Sequence, residues 1–201
     1  MNNDNSSALI LVDIQNDFCP GGSLAVREGD RVVPVVNELQ KRFELIVATK
    51  DWHPAGHSSF VSLWPPHCVQ ETAGAEFVAG LDTSRIARVF LKGTDPEVDS
   101  YSGFFDNEHL RATGLGDYLK ERGVTDVTIA GLATDYCVKF TALDAVALGF
   151  RTSVVADACR GVEVAEGDTA RAIEEMRAAG VGIIESRQLL EAHASNARRR
   201  A

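Results

Sequence analysis

No apolar stretch in this sequence approaches the length of a membrane span. The opening "MNNDNSSALILVD" has no basic residue, and its apolar run is cut at Asp13, so it does not read as a signal peptide. Positive charge is in short supply: 20 Lys and Arg against 29 Asp and Glu leave a net charge of -9. That balance argues against a partner such as nucleic acid or an anionic lipid surface. The closing "ARRR" is too short to reverse it and is expected to be a solvated tail. Cysteine is sparse as well. Cys19, Cys68, Cys137 and Cys159 lie far apart with no C-x-x-C pair, which gives little support to a redox or zinc-ribbon reading and favours reduced thiols in the cytoplasm over a disulfide framework. There is no internal repeat and no linker, and "GLGDY" is not a dinucleotide fingerprint, since it follows no strand and lacks the third glycine. What remains is an ordinary globular composition, 45% hydrophobic over 201 residues, expected to form a single domain spanning 1–201 with its core at about 8–185. A homo-oligomer is compatible with the sequence, which sets no subunit count.

Six short apolar runs rich in branched residues read as buried strands: "ALILVDI" (Ala8–Ile14), "ELIVAT" (Glu44–Thr49), "ARVFLK" (Ala87–Lys92), "DVTIAGL" (Asp126–Leu132), "RTSVVA" (Arg151–Ala156) and "VGIIE" (Val181–Glu185). Helical spacing separates most of them. Val32, Val33, Val36, Leu39 and Phe43 mark a first helix, with Pro34 tolerable only near its first turn. Leu115, Tyr118 and Leu119 mark a second, stopped by Gly123. Phe140, Leu143, Ala147 and Leu148 mark a third, and Ala170, Ile173 and Met176 a fourth. The alternation predicts a three-layer α/β/α fold on a mostly parallel sheet of about six strands. Between Trp52 and Ser84 the pattern breaks into a long loop that holds Trp52, Phe60, Trp64 and Phe77, too aromatic for a disordered linker.

Ligands of such sheets bind beyond the carboxyl ends of the strands. Four consecutive strand ends carry residues capable of chemistry: Asp13, then Asp51 with His53, then Lys92, then "GLATDYC" leading to Cys137. Any one is weak evidence, because strand-end Asp and Lys commonly cap helices or sit in solvent. Cys137 is the candidate nucleophile. A free thiol has a pKa of about 8.5, and a helix N-terminus or a cation such as Lys92 lowers it to between roughly 3.5 and 7.5. Asp13 is the candidate proton carrier, provided burial raises its pKa or the pair shares the thiol proton. Read alone, Asp51, His53 and His57 fit a polar surface loop as well as a metal site. His67 lies ten residues beyond His57, a spacing that fits no helix.

The segments "LILVDIQNDFCPGGSLAV", "TKDWHPAGHSSF", "WPPHCVQ", "FLKGTDPEVDSYSGFFDN" and "GLATDYCVKFTALDAVALGF" closely resemble those of nicotinamidases, within the isochorismatase-like hydrolase superfamily. The resemblance runs from about Ala8 to Val162 and more loosely to Glu185. It implies a catalytic triad of Asp13, Lys92 and Cys137, and a divalent metal held by Asp51, His53 and His67. His57 matches a further ligand in some members and a contact to metal-bound water in others. Zinc is the expected ion, with iron or manganese as alternatives that this ligand set also suits. Phe18, Trp64 and Tyr101 match residues that line the substrate ring, whereas His109 matches no ligand position and reads as surface.

The same resemblance implies hydrolysis of nicotinamide to nicotinate and ammonia through a cysteine thioester, in NAD salvage, with pyrazinamide as a further substrate. The metal would bind the ring nitrogen of the substrate rather than activate water. The N–H groups of Ala133 and Cys137 would form the oxyanion hole, with a cis peptide between Leu132 and Ala133. The alternative is a related amidohydrolase acting on another small carboxamide. Isochorismatases, which cleave a vinyl ether, lack the cysteine, and amidases of N-carbamoyl compounds lack the metal motif. A silent metal-binding module on the same fold would have no need of all three triad residues.

Overall fold

The computed structural model describes residues 7–191, and the polar start and the Arg-rich tail lie outside the described residues. The six expected runs all form strands: β1 (Ser7–Val12), β2 (Leu45–Asp51), β3 (Arg88–Lys92), β4 (Asp126–Leu132), β5 (Arg151–Arg160) and β6 (Gly182–Ile184). They make one sheet in the order β3-β2-β1-β4-β5-β6, and every pairing is parallel. β5 runs four residues past the expected Ala156. The register between β4 and β5 shifts between Ile129 and Gly131, and the extra residues restore the pairing of Gly131 with Cys159 and Leu132 with Arg160.

Helix α1 (Val32–Gln40) covers one face of the sheet, burying Val32, Val33, Val36 and Leu39 against Leu9, Leu11 and Ile46. Pro34 sits in its first turn, where its missing N–H has no intrahelical partner to lose. The long excursion between β2 and β3 contains only the one-turn α2 (Ser59–Ser62) and a 3-10 turn at Ala73–Ala75. The other face carries α3 (Leu115–Glu121), α4 (Lys139–Ala147) and α5 (Asp168–Ala178), packed on Ile10, Val12, Val47 and Val127. The expected inward stripe of α4 is wrong. Thr141, Ala142 and Ala145 face the core, while Phe140 is 37% exposed and stacks on Tyr101 at 5.4 Å. Helical spacing fitted both stripes, and the small residues won because they allow α4 to lie close to the sheet.

The order of strands reverses between β1 and β4, which places the crevice expected of such sheets at their carboxyl ends. The two strands meet tightly there. A Cβ on Gly131 (φ 132°) would lie 2.1 Å from the Val12 carbonyl oxygen, so only glycine fits. Among the described residues no helix is long and apolar enough to cross a membrane.

Candidate functional site

β1 ends at Val12, and the next residue, Asp13, turns out of the sheet with a left-handed backbone (φ 48°) and no solvent exposure. Thr49 Oγ1 donates to its Oδ1 at 2.7 Å, and Lys92 Nζ is 2.9 Å from its Oδ2. Lys92, the last residue of β3, is itself fully enclosed. Its ammonium also donates to Asp51 Oδ1, to the Ser100 carbonyl at 2.8 Å and toward Cys137 Sγ at 3.4 Å. Burial works to strip the proton from Lys92, but Asp13 and Asp51 outweigh it and hold the pKa well above its ordinary value. Burial, only partly offset by Lys92, lifts Asp13 to about 6.

Cys137 follows β4 in a π-turn, Thr134–Val138, that leads into α4. The Val138 N–H reaches the Ala133 carbonyl at 3.0 Å, and the Leu132–Ala133 peptide is cis. The lowered thiol pKa expected from the helix start and Lys92 is not found. Burial pushes Cys137 well up; Lys92 opposes this, and Asp13 and Asp51 add to it. The neighbouring Asp13 carboxylate thus favours the protonated thiol and is the base placed to receive its proton. Cys19, Cys68 and Cys159 are free, buried members of the core, as read from sequence.

Asp51 closes β2, and its second oxygen points away from Lys92. Oδ2 is 3.7 Å from His53 Nε2 and 3.9 Å from His67 Nε2. Burial would raise Asp51, but Lys92 and His53 prevail and hold it below the carboxylate range. The Nδ1 of His53 donates to the Gly93 carbonyl at 2.9 Å, and that of His67 to the Pro65 carbonyl at 2.8 Å. A carbonyl oxygen only accepts, so in the neutral imidazoles these bonds leave Nε2 as the free lone pair. Such second bonds orient metal-ligating histidines. His53 Nε2 is buried without a hydrogen-bond partner, and burial lowers His67 toward its neutral, ligating form. One carboxylate and two imidazoles within 4.8 Å of one another fit a divalent transition metal.

His57 stands apart. Its Nδ1 receives the Ser59 backbone N–H at 3.3 Å and contacts Ser59 Oγ at 2.7 Å. It groups with His53 and Asp99 rather than with Asp51 and His67. His109 is largely exposed, 3.6 Å from Asp144, and far from this chemistry in role.

A pocket opens over Cys137, Ala133, Asp51 and His67. Phe18, Trp64 and Tyr101 line it, and Trp64 Nε1 donates to the Tyr101 hydroxyl at 3.2 Å. Sequence reasoning missed several neighbours. Tyr136, Asp99 and Val162 also line the pocket, and Tyr136 packs edge-on against Trp64 at 5.0 Å. Phe60 lies 5.5 Å from each of the three imidazoles. Its place in "HSSF" was visible; its contact with His67 was not. Thr49 and Gln15 act through partners distant in sequence and gave no local signal.

A model of the isochorismatase domain matches residues 7–188. The chain belongs to that family. Among its isochorismatase-family relatives, the nicotinamidase of Escherichia coli K12 is 48% identical over 195 residues, covering 86% of this chain and 92% of its own. The structure of an Acinetobacter baumanii nicotinamidase and pyrazinamidase superposes with a TM-score of 0.90 at 42% identity, covering 94% of this chain and all of that one. A Pyrococcus horikoshii pyrazinamidase, solved in complex with zinc, gives a TM-score of 0.80 at 44% identity over 90% of this chain and 99% of its own. These relatives fit the isochorismatase-type parallel sheet described above.

Proposed function

We infer that this chain is an amidohydrolase that converts nicotinamide to nicotinate and ammonia in NAD salvage. The observation that carries the reading is one pocket onto which Cys137 and the Asp51 and His67 side chains all open. Pyrazinamide, a ring of the same size with the same carboxamide, belongs to the same reading.

The triad is Asp13, Lys92 and Cys137. Asp13 takes the thiol proton as Cys137 Sγ bonds to the carboxamide carbon, so no free thiolate need persist in this buried, acidic setting. The N–H groups of Ala133 and Cys137 receive the charge that develops on the carbonyl oxygen. Asp13 then gives its proton to the departing nitrogen as the C–N bond breaks, releasing ammonia and leaving the thioester. With a pKa of about 6, Asp13 can accept and return a proton near neutrality at little cost. It next takes a proton from the water that attacks the thioester, and returns it to sulfur as the C–S bond breaks. Lys92 stays charged throughout and balances Asp13, Asp51 and sulfur in turn.

Asp51, His53 and His67 would hold a divalent ion, for which zinc is the first choice and iron or manganese the alternatives. Bound there, the ion supplies a Lewis-acidic anchor for the pyridine nitrogen. His57 and Asp99 border this group from the His53 side. Phe18, Trp64 and Tyr101 enclose the ring and keep water from its faces.

The test compares native and His53→Ala protein with nicotinamide and with benzamide, which has the amide but no ring nitrogen, with folding checked in each. Native protein should release ammonia readily from nicotinamide and poorly from benzamide. Losing the anchor should lower the nicotinamide kcat/KM by about 2–4 kcal/mol, or roughly 30- to 1,000-fold, and benzamide far less. Equal proportional losses would overturn the orienting role, and absence of ammonia release from nicotinamide would overturn the function.

A further inference from the structure

β1 and β2 pair as far as Leu11 and Ala48, and continuing that register would set Ile14 opposite Asp51. The chain does not continue. Asp13 adopts its left-handed backbone and carries β1 away, which aims the Asp13 carboxylate at Lys92 but removes the strand that would have flanked Asp51. On the other side Asp51 keeps its neighbour, pairing with Lys92 of β3. Its β1 side is filled by a side chain.

A carboxamide carries the same donor and acceptor as a peptide group. Gln15 uses both. Its Oε1 accepts the Asp51 N–H at 2.8 Å, and its Nε2 donates to the Asp51 carbonyl at 2.8 Å. The second hydrogen of Nε2 goes to the Ala75 carbonyl at 2.9 Å, which ties in the loop that runs beside residues 14–16. Gln15 has no solvent exposure, and all three bonds are within the protein. A residue gripped at both its N–H and its C=O has its backbone torsions fixed, and with them the Cα–Cβ direction from which its carboxylate reaches Lys92 on one side and the imidazoles on the other.

We propose that Gln15 is a positioning residue: it replaces the missing stretch of β1 and holds Asp51 so that one oxygen meets Lys92 and the other faces His53 and His67, thereby setting the affinity of that group for its ion. The proposal rests on the metal reading given above. It differs from a packing role in what its loss does to binding, because losing a residue that only filled space would lower stability and leave ion affinity alone.

Zinc alone is a sufficient probe. Its Kd is measured by competition with a chromophoric chelator for native protein, Gln15→Leu and Gln15→Asn, alongside chemical unfolding of each without zinc. Gln15→Leu keeps the bulk and removes all three hydrogen bonds; Gln15→Asn keeps the amide but withdraws it by one methylene. Partners that orient ligands typically contribute about 10- to 100-fold to metal affinity, and a weakening of that size is expected in both variants. The zinc concentration giving half-maximal nicotinamide hydrolysis should rise by the same factor, with excess zinc restoring turnover. If Gln15→Leu does not fold, Gln15→Asn carries the test. A native-like zinc Kd in a folded variant, even one less stable without zinc, overturns the role of Gln15 and leaves the metal reading standing. Native protein that takes up no divalent ion overturns both.

Discussion

The two oxygens of Asp51 face different chemistry, Oδ1 on the Lys92 ammonium and Oδ2 toward two imidazoles. Removing Asp51 therefore disturbs the nucleophile's charge balance directly as well as the ion, whereas His53 makes no contact with Lys92 or Cys137 and acts on them only through Asp51. Cys137 gives the cleaner experiment. Cys137→Ala should abolish ammonia release while zinc uptake and the unfolding midpoint stay near native, because the sulfur supplies the covalent step and little else. Turnover above a small fraction of native would take Cys137 out of the nucleophile role. Thr49→Val keeps shape and deletes the 2.7 Å bond to Asp13. A hydrogen bond to a charged group is worth about 1.5–3 kcal/mol, so kcat/KM should fall roughly 10- to 100-fold in steady-state assays. Native kinetics in this variant would mean that Asp13 is held by Lys92 without help. Asp13, Lys92 and Cys137 were legible in sequence because each stands at or just past the end of a recognisable strand. Thr49 and Gln15 were not, since a threonine inside an apolar run and a glutamine after a strand announce nothing until their distant partners are in place.

At the scale of elements, the ends of β3, β2, β1 and β4 stand side by side and each delivers at least one group to the site. Their close approach leaves no slack at Gly93, just past β3. Its backbone is left-handed (φ 62°), and a Cβ there would lie 2.3 Å from His53 Cε1. Gly93→Ala should destabilise the fold by about 1–3 kcal/mol in denaturant titrations and weaken zinc binding in the same chelator assay, because the ring must move off its carbonyl partner. A variant with native zinc affinity would show that His53 can shift without consequence. The strands themselves were readable to within a few residues, since a parallel strand buried on both faces is a run of branched apolar residues. α4 was not readable face by face. Phe140 and Leu143 look like core residues, yet the sheet accepted Thr141, Ala142 and Ala145, a preference set by how closely the helix approaches. The irregular path between β3 and α3, which brings Ser100 and Tyr101 to the site, has no periodicity to read; only the resemblance through "DSYSGFFDN" marked it.

For the whole molecule, the net charge of -9 coexists with a site that gathers carboxylates, so bound cation should matter to stability as well as to chemistry. An ion that binds only the native state at 100 times its Kd adds about 2.7 kcal/mol. For a chain of this size that corresponds to a rise in Tm of roughly 5–10 °C, measurable by scanning calorimetry with and without zinc. No shift would mean that the folded protein has no preferential site for the ion. The expected three-layer arrangement on a six-stranded parallel sheet is what the chain adopts, because alternating strands and helices leave few other ways to bury both faces.

The protein has two tryptophans, and only Trp64 stands at the mouth of the pocket; Trp52 packs with the core beside Lys50. Its indole N–H is bonded to Tyr101 and its ring lies against Tyr136, so anything that enters between them changes the surroundings of one emitter and not the other. The molecule thus carries its own optical reporter. Ligand titrations should alter the intrinsic fluorescence of native protein and of Trp52→Phe alike, while Trp64→Phe should fall silent. A signal that survives in Trp64→Phe would place the responding ring elsewhere.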